Sequence, residues 1–260
     1  MAAGWEGHRP DPEGGGAFVT LGTFYGIGVG PGDPELMTVK GARLLAQCRD
    51  VFVPKAGIAV QSVALEIAKG YLAPCACVRE LTFPMTTDRA ELASAWDASA
   101  GEVAIPLEAG QDACFLTLGD PMLYSTYIYL LRALRARFPA LPVMTVPGIP
   151  AMCAAASLAE FPIGQFKEPV TIVPAADDLH AVRQALAAGG TLVLMKVGKR
   201  LEALIDLLEN AGRIGGSVLV SRAGMPGERI ETDIRKLRGE GAEAGYLSVI
   251  LSRVEEEDVK

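Results

Sequence analysis

The segment Thr23–Thr38, which reads TFYGIGVGPGDPELMT, constrains the possible folds of this chain more than any other stretch. Its β-branched and aromatic residues alternate with glycine and predict a strand over Thr23–Val29. Gly28, Gly30 and Gly32 then alternate with other residues. Glycine permits positive φ angles and lets another group approach the backbone closely. We therefore expect a strand that ends in a tight, glycine-lined loop.

A helix start follows these glycines. Asp33 is a suitable N-cap, Pro34 suits the first helical position, and Glu35 suits the first turn. The apolar face of this helix is predicted to consist of Leu36, Val39 and Leu44. The loop of such a strand–loop–helix unit lies at the carboxyl end of its strand, where open α/β sheets bind ligands.

The glycine loop matches neither of two nucleotide-binding patterns. Pro31 breaks the G-x-G-x-x-G spacing, and the acidic residue expected about 20 positions later has only Asp50 as an approximate match. No Gly-Lys-Ser/Thr follows, so the loop is not a phosphate loop either. On this chemistry alone, a tight turn closed by an N-cap explains the loop as well as a ligand site does.

Composition excludes several classes of function. The chain has 260 residues, half of them hydrophobic, with a net charge of −7 and a pI near 5.0. Binding to nucleic acid or to anionic membranes requires a basic surface, so neither is predicted. No apolar run approaches the roughly 18 residues of a membrane span, and residues 1–16 lack the apolar core of a secretory signal. We expect a cytoplasmic protein.

The five cysteines are an odd number and are scattered along the chain, which favours reduced thiols in a cytoplasm. Cys75 and Cys77 form the only close pair. A zinc site at this pair needs further ligands, and His8 and His180 are the only histidines. We predict no metal site.

Short apolar runs alternate with helical patterns over the first half of the chain. Beyond the opening strand, we predict strands at Asp50–Pro54, Cys75–Leu81, Cys114–Leu118 and Pro142–Val146. The intervening helices are predicted at Val60–Lys69, Asp88–Ala104 and Leu123–Phe138. Such regular alternation is typical of βαβ units and predicts a largely parallel sheet.

The pattern changes after Pro147. Helices are predicted at Ala151–Ala159, Asp178–Ala187 and Lys199–Asn210. Strands are predicted at Pro169–Pro174, Thr191–Val197, Ser217–Ser221, Glu228–Ile234 and Tyr246–Ser252. The last three strands have little helix between them, which favours hairpins and a mixed sheet.

These patterns predict an α/β protein of two α/β domains. We assign residues 19–143 to an N-terminal domain with a mainly parallel sheet, and residues 144–254 to a C-terminal domain with a mixed sheet and hairpins. Residues 1–18 are rich in glycine, proline and charge and predict a disordered tail, and residues 255–260 predict a charged tail.

Two later loops repeat the logic of the first. An apolar strand ends at Gly119-Asp120-Pro121, and Ser125 and Thr126 follow within reach of the turn. Asp120 is expected either to cap the next helix or to lie near a positively charged group of a ligand. The third loop, PGIPA over residues 147–151, leads into a helix of small residues that permits close packing or close approach of a ligand; by itself it is simply a turn.

Together, GIGVGPGDPELMT, LTLGDPMLYST and VPGIPA resemble the tetrapyrrole (corrin/porphyrin) methylase family over about Thr23–Ser252. Members of this family use S-adenosylmethionine to methylate macrocycles derived from uroporphyrinogen. Thr82–Met85, Ala95–Asp97, the Tyr124–Thr126 motif and Tyr246–Ser248 look like the branch that acts on C(20) of precorrin-2. The resemblance implies a homodimer of two-domain chains, with the cofactor bent in the cleft between the domains.

The resemblance also implies a set of cofactor-binding residues, contacted mainly through their backbone. By position in the motifs, they are Pro31, Gly119, Asp120, Ser125, Thr126, Pro150, Ala151, Met195, Ala223, Leu247 and Ser248. Met195 is explained equally well as a core residue that ends a strand. The substrate, a small-molecule tetrapyrrole, is expected to face Phe83, Pro84 and Met85.

Catalysis in such a site depends on alignment, because the reduced macrocycle is itself nucleophilic. Asp33 is a candidate base for the proton lost after transfer, although its role as an N-cap is the competing explanation. Tyr124 is a second polar candidate. Residues available to pair with substrate carboxylates are Lys40, Lys55 and Arg222, and helix-surface solvation explains any one of them equally well.

Three other hypotheses remain open at this point. One is a methylase of the same fold that acts on cobalt-precorrin-2, on uroporphyrinogen III or on another precorrin. Another is a non-catalytic protein that binds S-adenosylmethionine. The last is a nucleotide-phosphate enzyme, which rests on the glycines alone.

Overall fold

A computed structural model describes residues 20–55, 62–84, 86–175 and 179–254. The predicted tails therefore lie outside the described residues, as do the first residues of two predicted helices, Val60 and Asp178, and the predicted substrate residue Met85. Within the described part, no helix is both long and apolar enough to cross a membrane.

The first sheet has five parallel strands. They are β1 (Phe24–Gly28), β2 (Asp50–Pro54), β3 (Cys77–Leu81), β4 (Ala113–Thr117) and β5 (Val143–Val146). Their order in the sheet is β3-β2-β4-β1-β5. The helices of this half are α1 (Val39–Leu45), α2 (Val63–Ala68), α3 (Arg89–Glu108) and α4 (Tyr127–Arg137). The predicted parallel sheet is confirmed.

This sheet is buried on both faces, as parallel sheets with crossover helices usually are. Aromatic residues occupy one face, where Phe24, Phe52 and Phe115 pack with Tyr127 of α4. Aliphatic residues and cysteine occupy the other face and pack against α1 and α2. Gly26 makes room for the Tyr127 ring, because a Cβ at position 26 would overlap that ring.

The second sheet is mixed, as predicted. Its strands are β6 (Val170–Pro174), β7 (Thr191–Met195), β8 (Ser217–Ser221), β9 (Arg229–Glu231) and β10 (Ser248–Ser252), in the order β6-β7-β10-β8-β9. β6 and β7 are parallel, β10 runs antiparallel to both β7 and β8, and β8 and β9 form a hairpin. The helices of this half are α5 (Ala151–Leu158), α6 (His180–Ala188), α7 (Leu201–Asn210) and α8 (Gly241–Ala244).

The last strand, β10, lies in the middle of this sheet and runs antiparallel to both of its neighbours. Leucine and isoleucine side chains on one face pack against α6 and α7, whereas valine-rich positions on the other face pack against the small residues of α5. Because β10 is antiparallel, its amino end lies at the same edge as the carboxyl ends of β6, β7 and β8.

The structure corrects the helix predicted directly after the first loop. Pro34–Leu36 forms a short 3-10 turn capped by Asp33, and α1 begins only at Val39, with Thr38 as its own N-cap. Val39 is 86% exposed and is therefore not part of an apolar face. The capping bond between Gly41 N and Thr38 Oγ1, at 3.1 Å, starts a new helix at this position.

Other predicted boundaries were also wrong. The helix expected from Leu123 begins at Tyr127, and the strand expected over Glu228–Ile234 shrinks to β9. Ile234 instead opens a 3-10 turn that buries its side chain. The predicted domain boundary stays a prediction; β5, the last strand of the first sheet, reaches Val146.

Candidate functional site

Three loops meet at the carboxyl edge of the first sheet, and their glycines make the contact. A Cβ at Gly28 would lie 2.6 Å from both Gly119 O and Gly148 N. A Cβ at Gly148 would overlap Gly119 O and lie 2.9 Å from Gly28 Cα. Gly119 N donates to Gly30 O at 2.7 Å, which closes a short antiparallel bridge between the first two loops. The convergence of the three loops rests on packing of backbone against backbone.

Asp120 ties the second loop to the third. Its Oδ1 accepts a hydrogen bond from Met122 N at 2.8 Å, and its Oδ2 accepts one from Gly148 N at 3.1 Å. The helix cap, one of the two roles predicted for Asp120, is therefore not observed; Asp120 instead closes a local turn and holds the neighbouring loop. The position that a Cβ of Gly119 would occupy is 3.8 Å from Pro150 Cα and 3.9 Å from Ala151 N, so these predicted residues lie together.

Ser125 lies beneath the loops in a buried hydroxyl pair. Its Oγ is 2.9 Å from Thr117 Oγ1 and accepts from Tyr127 N at 3.1 Å, which fixes the start of α4. Tyr127 in turn pairs with Thr145 Oγ1 at 2.6 Å, and burial raises the pKa of its hydroxyl. Thr126 is the half-buried residue that precedes α4 and makes no side-chain cap. The hydrogen bonds of the buried Ser125 side chain thus stabilise the second loop.

The remaining predicted cofactor residues lie at one edge of the second sheet. Met195 ends β7 and pairs with Val249 of β10, and Ser248 begins β10 and pairs with Ser221. Arg222 N donates to Leu247 O at 2.9 Å across this edge. The predicted residues at this edge are Met195, Ala223, Leu247 and Ser248. Their side chains range from half-buried to buried, and Ser248 Oγ donates to Gly245 O at 2.8 Å.

The two edges touch each other. A Cβ at Gly32 would overlap Ala223 O and lie 2.6 Å from Met225 Cγ. A Cβ at Gly224 would lie 2.6 Å from Asp33 N, so Asp33 lies at this seam beside the buried Pro31. The first loop therefore packs against the turn that follows β8.

A second contact between the edges comes from Tyr124 in the loop after β4. This residue has a φ of +51° and is 40% exposed, and its hydroxyl donates to Ile172 O of β6 at 3.3 Å. Together with the seam at Gly32, this bond places the loops of the first sheet opposite the strand ends of the second.

The predicted substrate segment follows the carboxyl end of β3, at the same edge of the first sheet. Phe83 packs inward between Trp96, with ring centroids 4.7 Å apart, and Phe115, at 6.1 Å. Pro84 is half-buried, and Met85 is outside the described residues. Phe83 therefore anchors this segment to α3, and the substrate role of Phe83, Pro84 and Met85 stays a prediction.

The charge of the loops indicates which kind of ligand they suit. Residues 28–34, 119–126 and 147–151 contain Asp33 and Asp120 but no lysine or arginine. Phosphate sites usually combine backbone amides with a basic side chain, whereas carboxylates favour a cation. Backbone groups, hydroxyls and two carboxylates fit a nucleoside that carries a sulfonium better than one that carries phosphates.

The basic residues expected to meet an acidic substrate are spread around these edges. Lys40 lies exposed on α1, and Lys55 lies exposed directly after β2. Arg222 is half-buried, with its Nη1 3.6 Å from the position that a Cβ of Gly227 would take, so its side chain folds over its own turn. None of these three is brought into the loop cluster by a hydrogen bond or an ion pair within the described residues.

Sequence reasoning missed two kinds of residue. Gly148 was identified only as part of the third loop, because its partners Gly28 and Asp120 are distant in sequence. No local pattern marks Thr117, which pairs with Ser125. Lys196 was predicted to lie inside the strand Thr191–Val197, whereas β7 ends at Met195 and Lys196 follows it with a φ of +57°. Cys75 and Cys77 are exposed, and no group of three potential metal ligands occurs within the described ranges.

Comparison with other proteins gives these features a context. Residues 23–238 match the family model described as Tetrapyrrole (Corrin/Porphyrin) Methylases. The cobalt-precorrin-2 C(20)-methyltransferase of Salmonella typhimurium is 35% identical over 208 residues, which are 80% of this chain and 86% of that protein. The precorrin-2 C(20)-methyltransferase of a Sinorhizobium species is 33% identical over 243 residues, 90% of this chain and 96% of that protein.

The fold is also shared with a solved structure. Uroporphyrin-III C-methyl transferase from Thermus thermophilus, complexed with S-adenyl homocysteine, has a TM-score of 0.62 to this structure at 22% identity. The match covers 89% of this chain and 92% of that chain, and at this identity it concerns the fold alone. Because the family model spans most of the sequence and two relatives exceed 30% identity over most of their length, the chain belongs to the tetrapyrrole (corrin/porphyrin) methylase family.

Proposed function

We propose that this protein methylates C(20) of precorrin-2, or of its cobalt-containing counterpart, with S-adenosylmethionine as methyl donor, in cobalamin biosynthesis. The observation that carries the proposal is the similarity over at least 80% of this chain to two relatives named for this position of the macrocycle. One of these names specifies the cobalt form and the other the metal-free form, so both substrates are candidates.

S-adenosylmethionine, when bound, supplies an electrophilic methyl group on a positively charged sulfur. The backbone of the three glycine loops would hold its nucleoside part, and the facing edge of the second sheet would close the site. The residues proposed to hold it are Pro31, Gly119, Asp120, Ser125, Thr126, Pro150, Ala151, Met195, Ala223, Leu247 and Ser248. The carboxylates of Asp33 and Asp120 favour the positive charge, which supports this choice over a phosphate-bearing nucleotide.

The chain's main task in methyl transfer is alignment. A meso carbon of a reduced tetrapyrrole is electron-rich and needs no activation by a base before transfer. Fixing two reactants in line contributes at best about 7–11 kcal/mol to lowering a barrier. The close backbone packing among Gly28, Gly119 and Gly148 provides the rigidity that such alignment needs.

A proton must leave the methylated carbon, and two residues are proposed to take part. Asp33 lies at the seam between the sheets, and its Oδ1 accepts from Glu35 N at 2.8 Å, so its capping role and its role as base are compatible. Tyr124 is the alternative, with its hydroxyl held by Ile172 O. Phe83, Pro84 and Met85 are proposed to line the macrocycle.

We further propose a homodimer in the cytoplasm, without nucleic-acid or membrane partners. The acidic balance of the chain supports the absence of polyanionic partners. The five free cysteines are consistent with a reducing compartment. Sedimentation of the purified protein tests the dimer.

Incubation of the purified protein with isotopically labelled S-adenosylmethionine and either precorrin-2 or cobalt-precorrin-2 tests the reaction. We expect one labelled methyl group on the macrocycle, with its position given by NMR of the product. Comparing the two substrates under the same anaerobic conditions identifies the natural metal state. Transfer to neither macrocycle would remove the proposal.

Binding measurements separate this function from its rivals. Calorimetry with S-adenosylhomocysteine is expected to show saturable binding, with no competition by ATP or NAD. Binding without turnover on any precorrin selects a non-catalytic S-adenosylmethionine-binding protein instead. Methylation of uroporphyrinogen III in preference to precorrin-2 selects a different member of the same family.

A further inference from the structure

Lys196, which directly follows β7, has a conformation that is costly for its residue type. Its φ is +57°, and residues with a Cβ rarely enter this region. Its side chain is exposed at the same edge of the second sheet as Met195 and Leu247. The cofactor and base assignments proposed above do not use it.

The backbone around Lys196 is fixed on both sides, so this conformation is built into the fold. Met195 pairs with Val249 on one side and Pro174 on the other. Val197 is fully buried, and Gly198 N donates to Gly245 O at 2.9 Å. Strained residues that their surroundings hold in place cluster at functional sites, so this conformation supports a functional hypothesis for Lys196.

The side chain of Lys196 reaches toward the opposite edge of the site. Its Nζ lies 5.9 Å from the ring centroid of Tyr124, which belongs to the loop after β4. The Tyr124 ring is itself held by its hydrogen bond to Ile172 O. Within the described residues, Lys196 takes part in no salt bridge. Its ammonium is therefore positioned by an aromatic face while its hydrogen-bond donors remain available.

Arg222, another basic residue at this edge, directs its side chain elsewhere. The side chain of Arg222 lies against its own turn at Gly227. β7 and β8 lie on either side of β10. Ordinary strand spacing therefore places the backbones of Lys196 and Arg222 about 10 Å apart. The three loops opposite contain Asp33 and Asp120 but no basic residue, so Lys196 supplies a cation for a polycarboxylate substrate that those loops lack.

We infer that Lys196 is a specificity-determining residue that binds a side-chain carboxylate of the macrocycle, with Tyr124 holding its ammonium in position. This inference rests on the proposed function, because uroporphyrinogen-derived macrocycles carry many carboxylates. The ammonium has three donors, so it can bind a carboxylate without leaving the ring face. In this inference, Lys196 binds the carboxylate equally strongly in the ground state and in the transition state.

Steady-state kinetics of Lys196→Asn test this role. Asparagine tolerates the positive φ, so the variant keeps the backbone and loses only the cation. We expect KM for the macrocycle to rise about tenfold, with kcat within about twofold, because a uniformly bound contact is lost. Affinity for S-adenosylhomocysteine should stay unchanged, and the melting temperature should not fall.

Two matched variants sharpen the comparison. Lys196→Arg keeps the charge and should recover most of the lost affinity for the macrocycle. Lys167→Met removes a charge from an exposed lysine before β6, at the opposite edge of the same sheet, and should keep the wild-type KM. The difference in KM between the wild type and Lys196→Asn should narrow as ionic strength rises from about 0.05 to 0.5 M.

A second readout keeps this inference separate from the proposed reaction. Fluorescence titration with uroporphyrin, an octacarboxylic porphyrin, measures binding of the macrocycle without turnover. We expect binding by the wild type that is about tenfold weaker in Lys196→Asn. Equal affinity of the two proteins, or no binding by the wild type, would overturn the role of Lys196. Failure of methyl transfer together with a retained difference in binding would overturn the reaction alone.

Discussion

At the scale of single residues, the site depends on the absence of a side chain at Gly28 and at Gly148. A Cβ at either position would lie too close to Gly119 O, so these backbones approach one another more closely than a side chain would allow. The chain therefore gains a rigid cluster of backbone groups that can contact a ligand. The φ of Gly148 is not in the left-handed region, so backbone conformation does not by itself require glycine there. Glycine is required at this position for steric reasons.

Substitution of Gly148 by alanine should disrupt this cluster. The new Cβ would overlap Gly119 O, and because backbone atoms cannot move aside as a flexible side chain can, we expect a loss of about 1–3 kcal/mol in the free energy of unfolding. Affinity for S-adenosylhomocysteine should fall as well. Urea denaturation and calorimetry measure the two effects.

The control for this substitution is Gly70→Ala. A Cβ at Gly70 would meet no atom within 4 Å, and its φ is not positive. This variant should be as stable as the wild type or slightly more stable, and should keep its affinity. Equal stability of Gly148→Ala and Gly70→Ala would show that the loops are not held by close backbone packing.

Asp120 is the second residue whose loss should separate the loops. Asp120→Ala leaves the amides of Met122 and Gly148 without their acceptor, which should cost about 1–2 kcal/mol of stability and weaken cofactor binding. As a comparison, Asp97→Ala removes a carboxylate that pairs with Arg137 and is 71% exposed. That change should stay within about 0.5 kcal/mol of the wild type by chemical denaturation.

At the scale of elements, α1 and α3 each begin at a side-chain N-cap, and the N-cap of α3 is sensitive to pH. Asp88 Oδ1 accepts from Glu91 N at 3.1 Å and Ala90 N at 2.8 Å. These two bonds, first the one from Glu91, hold the pKa of the Asp88 carboxyl below its ordinary 3.8. A carboxylate with a lowered pKa in the folded state stabilises the fold above its unfolded pKa and loses that effect as the pH falls through its folded pKa.

Thermal unfolding of Asp88→Ala between about pH 7 and pH 2.5 should reveal this dependence. At neutral pH the variant should melt below the wild type, because α3 loses its charged N-cap. The difference should begin to shrink below about pH 4 and continue to shrink as the native carboxyl takes up its proton. Asp88→Ser keeps an acceptor that does not titrate, so the wild type should exceed it by less at neutral pH, and this difference should fall with pH by the same amount as for Asp88→Ala. A difference for Asp88→Ala that is constant with pH contradicts the assignment.

At the scale of the whole molecule, two sheets of different topology meet edge to edge. The first sheet contributes loops at the carboxyl ends of parallel strands, and the second contributes the carboxyl ends of three strands and the amino end of β10. The meeting point at Gly32 and Ala223 is a contact between backbones, and Tyr124 makes the other contact described above. The distance between the two edges is therefore set by a glycine.

Gly32→Ala should push the two edges apart. Its Cβ would overlap Ala223 O and lie 2.6 Å from Met225 Cγ, so we expect affinity for S-adenosylhomocysteine to fall by about tenfold or more. Each sheet keeps its own core, so far-UV circular dichroism should not change. Gly164→Ala, whose Cβ would make only an ordinary 3.6 Å contact with Val170, serves as the control. Unchanged affinity in Gly32→Ala would exclude a site at this seam.

Much of this architecture could be predicted because its signals are local. Alternating apolar runs and helical patterns predicted both the parallel and the mixed sheet, and glycine-proline loops after strands marked the carboxyl edge. These signals did not place two helix starts, which depend on side-chain hydrogen bonds formed in the folded loops. The start of α4 at Tyr127 depends on Ser125, which pairs with Thr117 of β4. The exposure of Val39 follows from a separate cap at Thr38.

The sequence by itself determined which segments become strands, which loops carry glycine, and that those loops bear acid but no base. These properties follow from residue type and spacing along a few consecutive positions. Only the tertiary structure decided that β10 enters between β7 and β8, that Asp120 holds Gly148, and that Lys196 lies opposite Tyr124. Such contacts join residues that are far apart in the chain, and their geometry depends on the packing of both sheets together.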